Sequence, residues 1–213
     1  MKVMQCWDDS VTNDIRLVKL LRRYRAKATF NFIITKAEGG FGKDWVYQDY
    51  AVNHLNLSEM KDLYQGFKVA GHGGRHFRQI SYEEFNDEII AVKQCVSAFF
   101  TQPECGYAYP GGGFDDTIKK LVRNAGYKYA RTTKNVDGVL PLDDPFELSG
   151  HCHFASDDFA EKYARVKEAD GIFYFWGHSY EFKDDETLWS DFERKLEFMA
   201  ADDVEWIDII DLF

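Results

Sequence analysis

Short apolar runs, rich in β-branched and aromatic residues, alternate along this chain with segments whose apolar residues recur at helical spacing. Val3 to Trp7, Ala28 to Ile34, Phe67 to Ala70, Cys105 to Tyr109, Tyr127 to Thr133, Ile172 to Trp176 and Val204 to Ile210 read as strands. Between the first two, Ile15, Val18 and Leu21 with Leu17, Leu20 and Tyr24 mark a helix. Ser58 is placed to cap a short helix ended by Gly66, and Ser81 with Glu84 forms a capping-box pattern opening a helix to about Phe100. Asp115 or Asp116 caps the next, which Gly126 closes, and one more follows Thr187.

Strands separated by helices of this length form βα units and a parallel sheet. Seven of them fit either a closed βα barrel or a doubly wound open sheet. The polar residues separate the two. Asp8-Asp9, His72, Tyr109-Pro110, Arg131 and His178 each stand at the C-terminal end of a different strand. The loops of a barrel converge there, whereas an open sheet gathers its polar groups at one crevice. The expected fold is α/β, a distorted (β/α)7 barrel of parallel strands, with residues 1–213 as one domain. Lys134 to Asp157, rich in Gly, Pro and Asp, reads as a surface loop.

With 45% hydrophobic and 16% aromatic residues the chain is set to fold around a core. A formal charge of −10 argues against a nucleic-acid partner. The four cysteines form no C-x-x-C pair and read as free thiols of a reducing compartment. No apolar stretch approaches the roughly 20 residues of a membrane span. No basic-then-apolar leader precedes Val3 either, so a cytoplasmic location is expected unless the chain starts at a processed end. A carbohydrate or other small molecule is the expected partner; the oligomeric state stays open.

His72 and His76 lie four positions apart in a glycine-rich loop, a spacing that serves one metal ion if the backbone between them makes about a helical turn. Alone, the pair is equally compatible with ordinary hydrogen-bonded loop residues. A metal needs a third, anionic ligand, and Asp8-Asp9 offers one. Each group has a plainer reading: a turn or cap for the aspartates, a core histidine for His178, a tight turn for the glycines after Pro110.

Cys6-Trp7-Asp8-Asp9-Ser10, followed by Lys27-Ala28-Thr29-Phe30, resembles the opening of the polysaccharide deacetylase domain, carbohydrate esterase family four, with its Thr-Phe-Asp-Asp-Gly and Ala-Thr-Phe motifs. His72 and His76 are similar to that family's second motif, Tyr107-Ala108-Tyr109-Pro110-Gly111-Gly112 to its third, and Trp176-Gly177-His178-Ser179 to its last. The likeness implies a hydrolase of carbon–nitrogen bonds other than peptide bonds, removing N-acetyl or O-acetyl groups from a carbohydrate. It implies a divalent metal, zinc above cobalt or nickel, held by Asp9, His72 and His76. Asp8 becomes the general base and His178 the general acid. Gly111, through its N–H, becomes an oxyanion donor, with Tyr109 and Arg131 beside it at the substrate.

The chain departs from the family pattern in three places. Ser10 replaces a glycine. Ala108 replaces the arginine that orients the catalytic aspartate, a role for which Arg131 is the replacement, with Arg75 behind it. For the acid residue that orients the catalytic histidine, Asp137 is the candidate. Other readings stay open: a metal-dependent hydrolase of a non-sugar amide or cyclic ureide, and a carbohydrate-binding pseudoenzyme, against which Asp8 and His178 both argue. His151-Cys152-His153 resembles the H-x-H of amidohydrolases, but lies in a late loop rather than after the first strand.

Overall fold

The computed structural model describes residues 1–34, 40 and 44–213. The chain runs through β1 (Lys2–Asp8), α1 (Asp14–Arg23), β2 (Thr29–Phe32), β3 (Trp45–Tyr47), β4 (Tyr50–Val52) and α2 (Leu57–Leu63). It continues with β5 (Lys68–His72), α3 (Tyr82–Phe99), β6 (Tyr107–Ala108), α4 (Asp116–Asn124), β7 (Ala130–Asn135) and β8 (Leu148–Gly150). The last part holds β9 (Cys152–His153), α5 (Phe159–Glu168), β10 (Ile172–His178), α6 (Glu186–Ala201) and β11 (Glu205–Trp206).

β1 is buried from Val3 to Asp8, as a central strand covered on both faces must be. The strand order is β8-β7-β6-β5-β2-β1-β10-β9, every pairing parallel. Its two ends belong to one stretch of chain. Leu148 pairs with Arg131 and Gly150 with Asn135 of β7, while Cys152 pairs with Phe175 and His153 with Trp176 of β10. Between them the His151 N–H donates to the Tyr174 carbonyl at 2.7 Å. Residues 148–153 thus border both β7 and β10 and return the sheet on itself, giving the distorted, barrel-like α/β fold that the polar residues at the strand ends favour.

That strand corrects the reading of Lys134 to Asp157 as a surface loop: Ser149, His151 and Cys152 are buried. The expected strand from Val204 to Ile210 is also corrected. Only Glu205 and Trp206 pair, with Lys2 and Val3, and Ile209–Leu212 forms a 3-10 turn. The reason lies in β1, whose edge is taken by β2 from Cys6 onward. β3 and β4 form an antiparallel hairpin apart from the sheet.

Asn56, rather than Ser58, caps α2, in a capping box with Glu59. Ser81 and Glu84 do the same for α3, and Asp115 caps α4 by accepting from the Ile118 N–H at 2.9 Å. The larger apolar cluster fills the space between sheet and helices, with Trp7, Leu17 and Phe175 among its members. A smaller one joins Met4 and Cys6 of β1 to Tyr174 of β10. Side chains alternate across a strand, so Asp8 and His178 share the face of these residues and cap that smaller cluster. The four cysteines are free, and among the described residues no helix is long and apolar enough to cross a membrane.

Candidate active site

Asp8 is the last residue of β1 and is almost wholly buried. Asn31 Nδ2 donates to its Oδ1 at 2.6 Å, and Arg131 Nη2 donates to both carboxylate oxygens. Burial alone would raise the Asp8 pKa. The Arg131 guanidinium, with His72 and His178 nearby, outweighs it and holds the carboxyl well below its usual range. Ala108 and Arg131 are register partners on β6 and β7. The arginine missing from β6 is therefore supplied at the same level by the next strand, and the contact expected between Arg131 and Asp8 is made. Arg131 is 1% exposed and stacks over Trp176 at 4.9 Å, outside the cavity lining. It is placed to hold Asp8 and does not line the cavity, where it was expected beside the substrate. Arg75 pairs elsewhere, with Glu88 at 3.1 Å and Glu84 at 3.4 Å.

After β1 the backbone turns through the left-handed region, φ 81° at Asp9 and 53° at Ser10. Ser10 so occupies a conformation that favours glycine. Three contacts hold the turn: Asp9 N–H to Asn31 O at 3.2 Å, Leu55 N–H to Ser10 O at 3.0 Å, and His54 Nδ1–H to Asp9 O at 2.8 Å. They present Asp9 Oδ1 3.5 Å from His72 Nε2. His72 donates its Nδ1–H to the Ala108 carbonyl at 2.7 Å, which leaves the Nε2 lone pair facing Asp9. Two ligands about 2.0 Å from a tetrahedral zinc lie roughly 3.3 Å apart, so Asp9 and His72 fit a metal.

His76 fits less directly. The backbone after His72 is a loop, not a helical turn, and His76 caps the 3-10 turn Phe77–Gln79. Its Nδ1 accepts the Arg78 N–H at 3.2 Å, while its Nε2 would lie 2.9 Å from a Cβ on Gly113 and 3.3 Å from one on Gly111. The His76 ring packs where a side chain on Gly111 or Gly113 would lie. His76 lines the same cavity as Asp9 and His72. The three do not bring their ligand atoms within 4.8 Å of one another, and His76 is the one that must turn to join them.

His178 ends β10 with Nε2 3.7 Å from Asp8 Oδ2 and 4.0 Å from Asp9 Oδ2. Its Nδ1 lies 3.4 Å from Glu181 Oε2, an oxygen that also takes the His178 backbone N–H at 3.3 Å and sits 2.7 Å from His153 Nε2. Burial opposes a charge on His178, but Glu181 and the Asp9 and Asp8 carboxylates outweigh it and push the imidazole up to about 9. Glu181 replaces Asp137 as the acid beside the histidine. Asp137 is exposed, 3.7 Å from Lys162 and 3.9 Å from Arg165. His153, His178 and Glu181 are also the one trio among the described residues whose ligand atoms lie within 4.8 Å of one another. His151 stands apart, its Nδ1 accepting the Tyr174 N–H and its Nε2 donating to Gly138 O, so the H-x-H is no joint metal pair.

Asp8, Asp9, His72, His76 and His178 line a cavity of about 420 Å³. Tyr109 borders it by its ring, the hydroxyl being given to Phe146 O at 3.1 Å. Gly111 borders it too, at φ 62°; the turn bonds there run from Gly112 N–H and Gly113 N–H and leave the Gly111 N–H out. Sequence reasoning missed Asn31, His54 and Glu181. A lone asparagine in the apolar run 28–34 is a readable signal of a buried polar contact; the other two carried none.

Known proteins bear on this geometry. The family model for polysaccharide deacetylase matches residues 1–130. The chain belongs to the polysaccharide deacetylase family. Among solved structures it is similar to the Streptococcus pyogenes deacetylase PplD in complex with acetate, at 25% identity and TM-score 0.56, over 68% of this chain and 61% of that one. The chain thus spans less than two thirds of that relative. The Xyl-CE4 domain of a multidomain xylanase from the hindgut metagenome of Trinervitermes trinervoides shares the fold, at 12% identity and TM-score 0.61, over 100% of this chain and 89% of that one. So does a family 4 carbohydrate esterase from Streptomyces lividans, at 14% identity and TM-score 0.58, over 95% and 90%. A search of curated proteins gave no match.

Proposed function

We propose that this chain is a divalent-metal-dependent deacetylase that removes N-acetyl groups, and by the same chemistry O-acetyl groups, from a carbohydrate. The observation that carries the reading is the opposition of Asp8 and His178, 3.7 Å apart beside Asp9 and His72, each held by partners of its own. Asp9, His72 and, after turning, His76 would hold the ion. When bound, the ion, zinc by its donor set with cobalt or nickel as alternatives, polarises the acetyl carbonyl and acidifies water.

Asp8, kept ionised by Arg131, accepts a proton from the attacking water as its oxygen bonds to the carbonyl carbon. The Gly111 N–H faces the oxygen that becomes negative. The carbon–nitrogen bond then breaks, its electron pair goes to nitrogen, and His178 supplies the proton from Nε2, so that acetate and a free amine leave. An amine anion leaves poorly, which is why the acid is needed. The Nδ1 side of the ring, toward Glu181, is fixed while the Nε2 side faces the reaction. Acetate release from N-acetylated oligosaccharides, with ring-opening of a cyclic ureide followed in parallel, tests the reading. Acetate supports it; ring-opening without acetate release overturns it.

A further inference from the structure

His153 does not line the cavity; it stands 2.7 Å from Glu181 and ring to ring with His178 at 6.1 Å between centroids. It is the second histidine of the H-x-H that the proposed chemistry leaves unused. β9 places it beside Trp176 of β10, where its ring packs on Phe154 at 4.6 Å and edge-on to Trp176 at 4.8 Å. Its Nδ1 accepts the Ala155 N–H at 3.3 Å, so the neutral ring carries its proton on Nε2, the nitrogen 2.7 Å from Glu181 Oε2. That contact is close without being aligned as a hydrogen bond, and the same holds for His178 Nδ1 at 3.4 Å. One carboxylate oxygen therefore stands between two imidazoles. The tighter contact, to His153, sets where the oxygen stands for the looser one, to His178.

We propose that His153 is a positioning residue for proton transfer by His178, acting through Glu181. This rests on the reading of His178 as the general acid. Fixing Glu181 from behind keeps the His178 ring turned with Nε2 toward the leaving nitrogen. Losing that hold harms reactions that need an acid more than those that do not. An N-acetyl sugar expels an amine and needs one; 4-nitrophenyl acetate expels a stable phenolate and does not.

The test compares kcat and KM of His153→Phe, His153→Gln and His178→Ala on an N-acetylated hexosamine oligosaccharide and on 4-nitrophenyl acetate. His153→Phe keeps the ring packing but removes the donor; His153→Gln keeps a side-chain N–H. His153→Phe is expected to lower kcat on the amide about 10- to 100-fold with KM unchanged, by analogy with lost outer contacts at metal-site ligands. Its loss on the ester is at least about tenfold smaller, and His153→Gln recovers most of the amide activity. Equal losses on both substrates, no loss, or a glutamine variant as poor as the phenylalanine one would each overturn the proposal. His178→Ala separates the two failures: if it shows no amide-selective loss, the general-acid reading itself falls, and this inference with it.

Discussion

Arg131 reaches from β7 to both carboxylate oxygens of Asp8, and both residues are all but buried. Breaking a buried pair by removing one partner strands the other charge, at a cost of about 3–5 kcal/mol. Arg131→Met is expected to lower unfolding free energy by that amount in chemical denaturation and to remove most acetate release. Arg131→Lys keeps the charge but loses the planar guanidinium whose Nη2 serves both oxygens, so its losses fall between. A methionine variant as stable and active as the parent would contradict the role given to this pair.

Asp14 gives a pH-dependent test. Its buried carboxylate accepts from Ser179 Oγ at 2.6 Å and Tyr64 Oη at 2.5 Å, and burial outweighs both donors to push its pKa up to about 7. The folded value lies above the unfolded one, so folding favours the protonated form. The contribution is full below about pH 4 and is lost as pH rises through about 7. A shift of about 3 units is worth on the order of 4 kcal/mol. Urea unfolding between pH 5 and 8 is expected to show Asp14→Asn gaining stability on the parent as pH rises. A constant difference would contradict the assignment.

Gly112 sits at φ 69°, and a Cβ there would come within 2.1 Å of Thr133 Oγ1 and 2.7 Å of Thr133 N. Since the second contact is backbone, the turn must shift. Gly112→Ala is expected to cost about 1–3 kcal/mol in thermal unfolding and to weaken activity by moving Gly111. Gly138, also at positive φ but with open space around its Cβ direction, is the control expected to cost less as Gly138→Ala.

For His76 the expectation concerns metal rather than rate. Its Nδ1 accepts the Arg78 N–H in the structure, so recruiting the ring to a metal beside Asp9 and His72 disturbs that bond. Titrating the metal-free protein with zinc is expected to shift the Arg78 amide resonance, and His76→Ala to abolish that shift. Zinc bound tightly with the amide unmoved would show that His76 is not recruited.

The strand ends were legible because each apolar run stops at a polar residue, and Asp8, His72 and His178 stand where that pattern puts them. Arg131 was expected at a strand end but is the second residue of β7, in that strand's buried first half. Glu181 was not legible. It returns to His178 only because a 3-10 turn folds Ser179–Phe182 back on the strand, and a local turn leaves no periodicity to read. Residues 148–153 were hidden among Gly, Pro and Asp, since a strand that changes partners after three residues is too short to show alternation. The β3–β4 hairpin was unreadable for the same cause, and it sets Trp45 edge-on to Tyr180 beside the cavity.

Metal-dependent deacetylation is tested most directly by acetate release from an N-acetylated oligosaccharide by the parent protein, the chelated protein, the chelated protein given zinc again, and Asp8→Asn. The account predicts release by the parent, loss on chelation, recovery with zinc, and an Asp8→Asn variant that keeps its zinc but releases acetate at least about a hundredfold more slowly. Undiminished release after complete removal of metal, or full activity in Asp8→Asn, would contradict it.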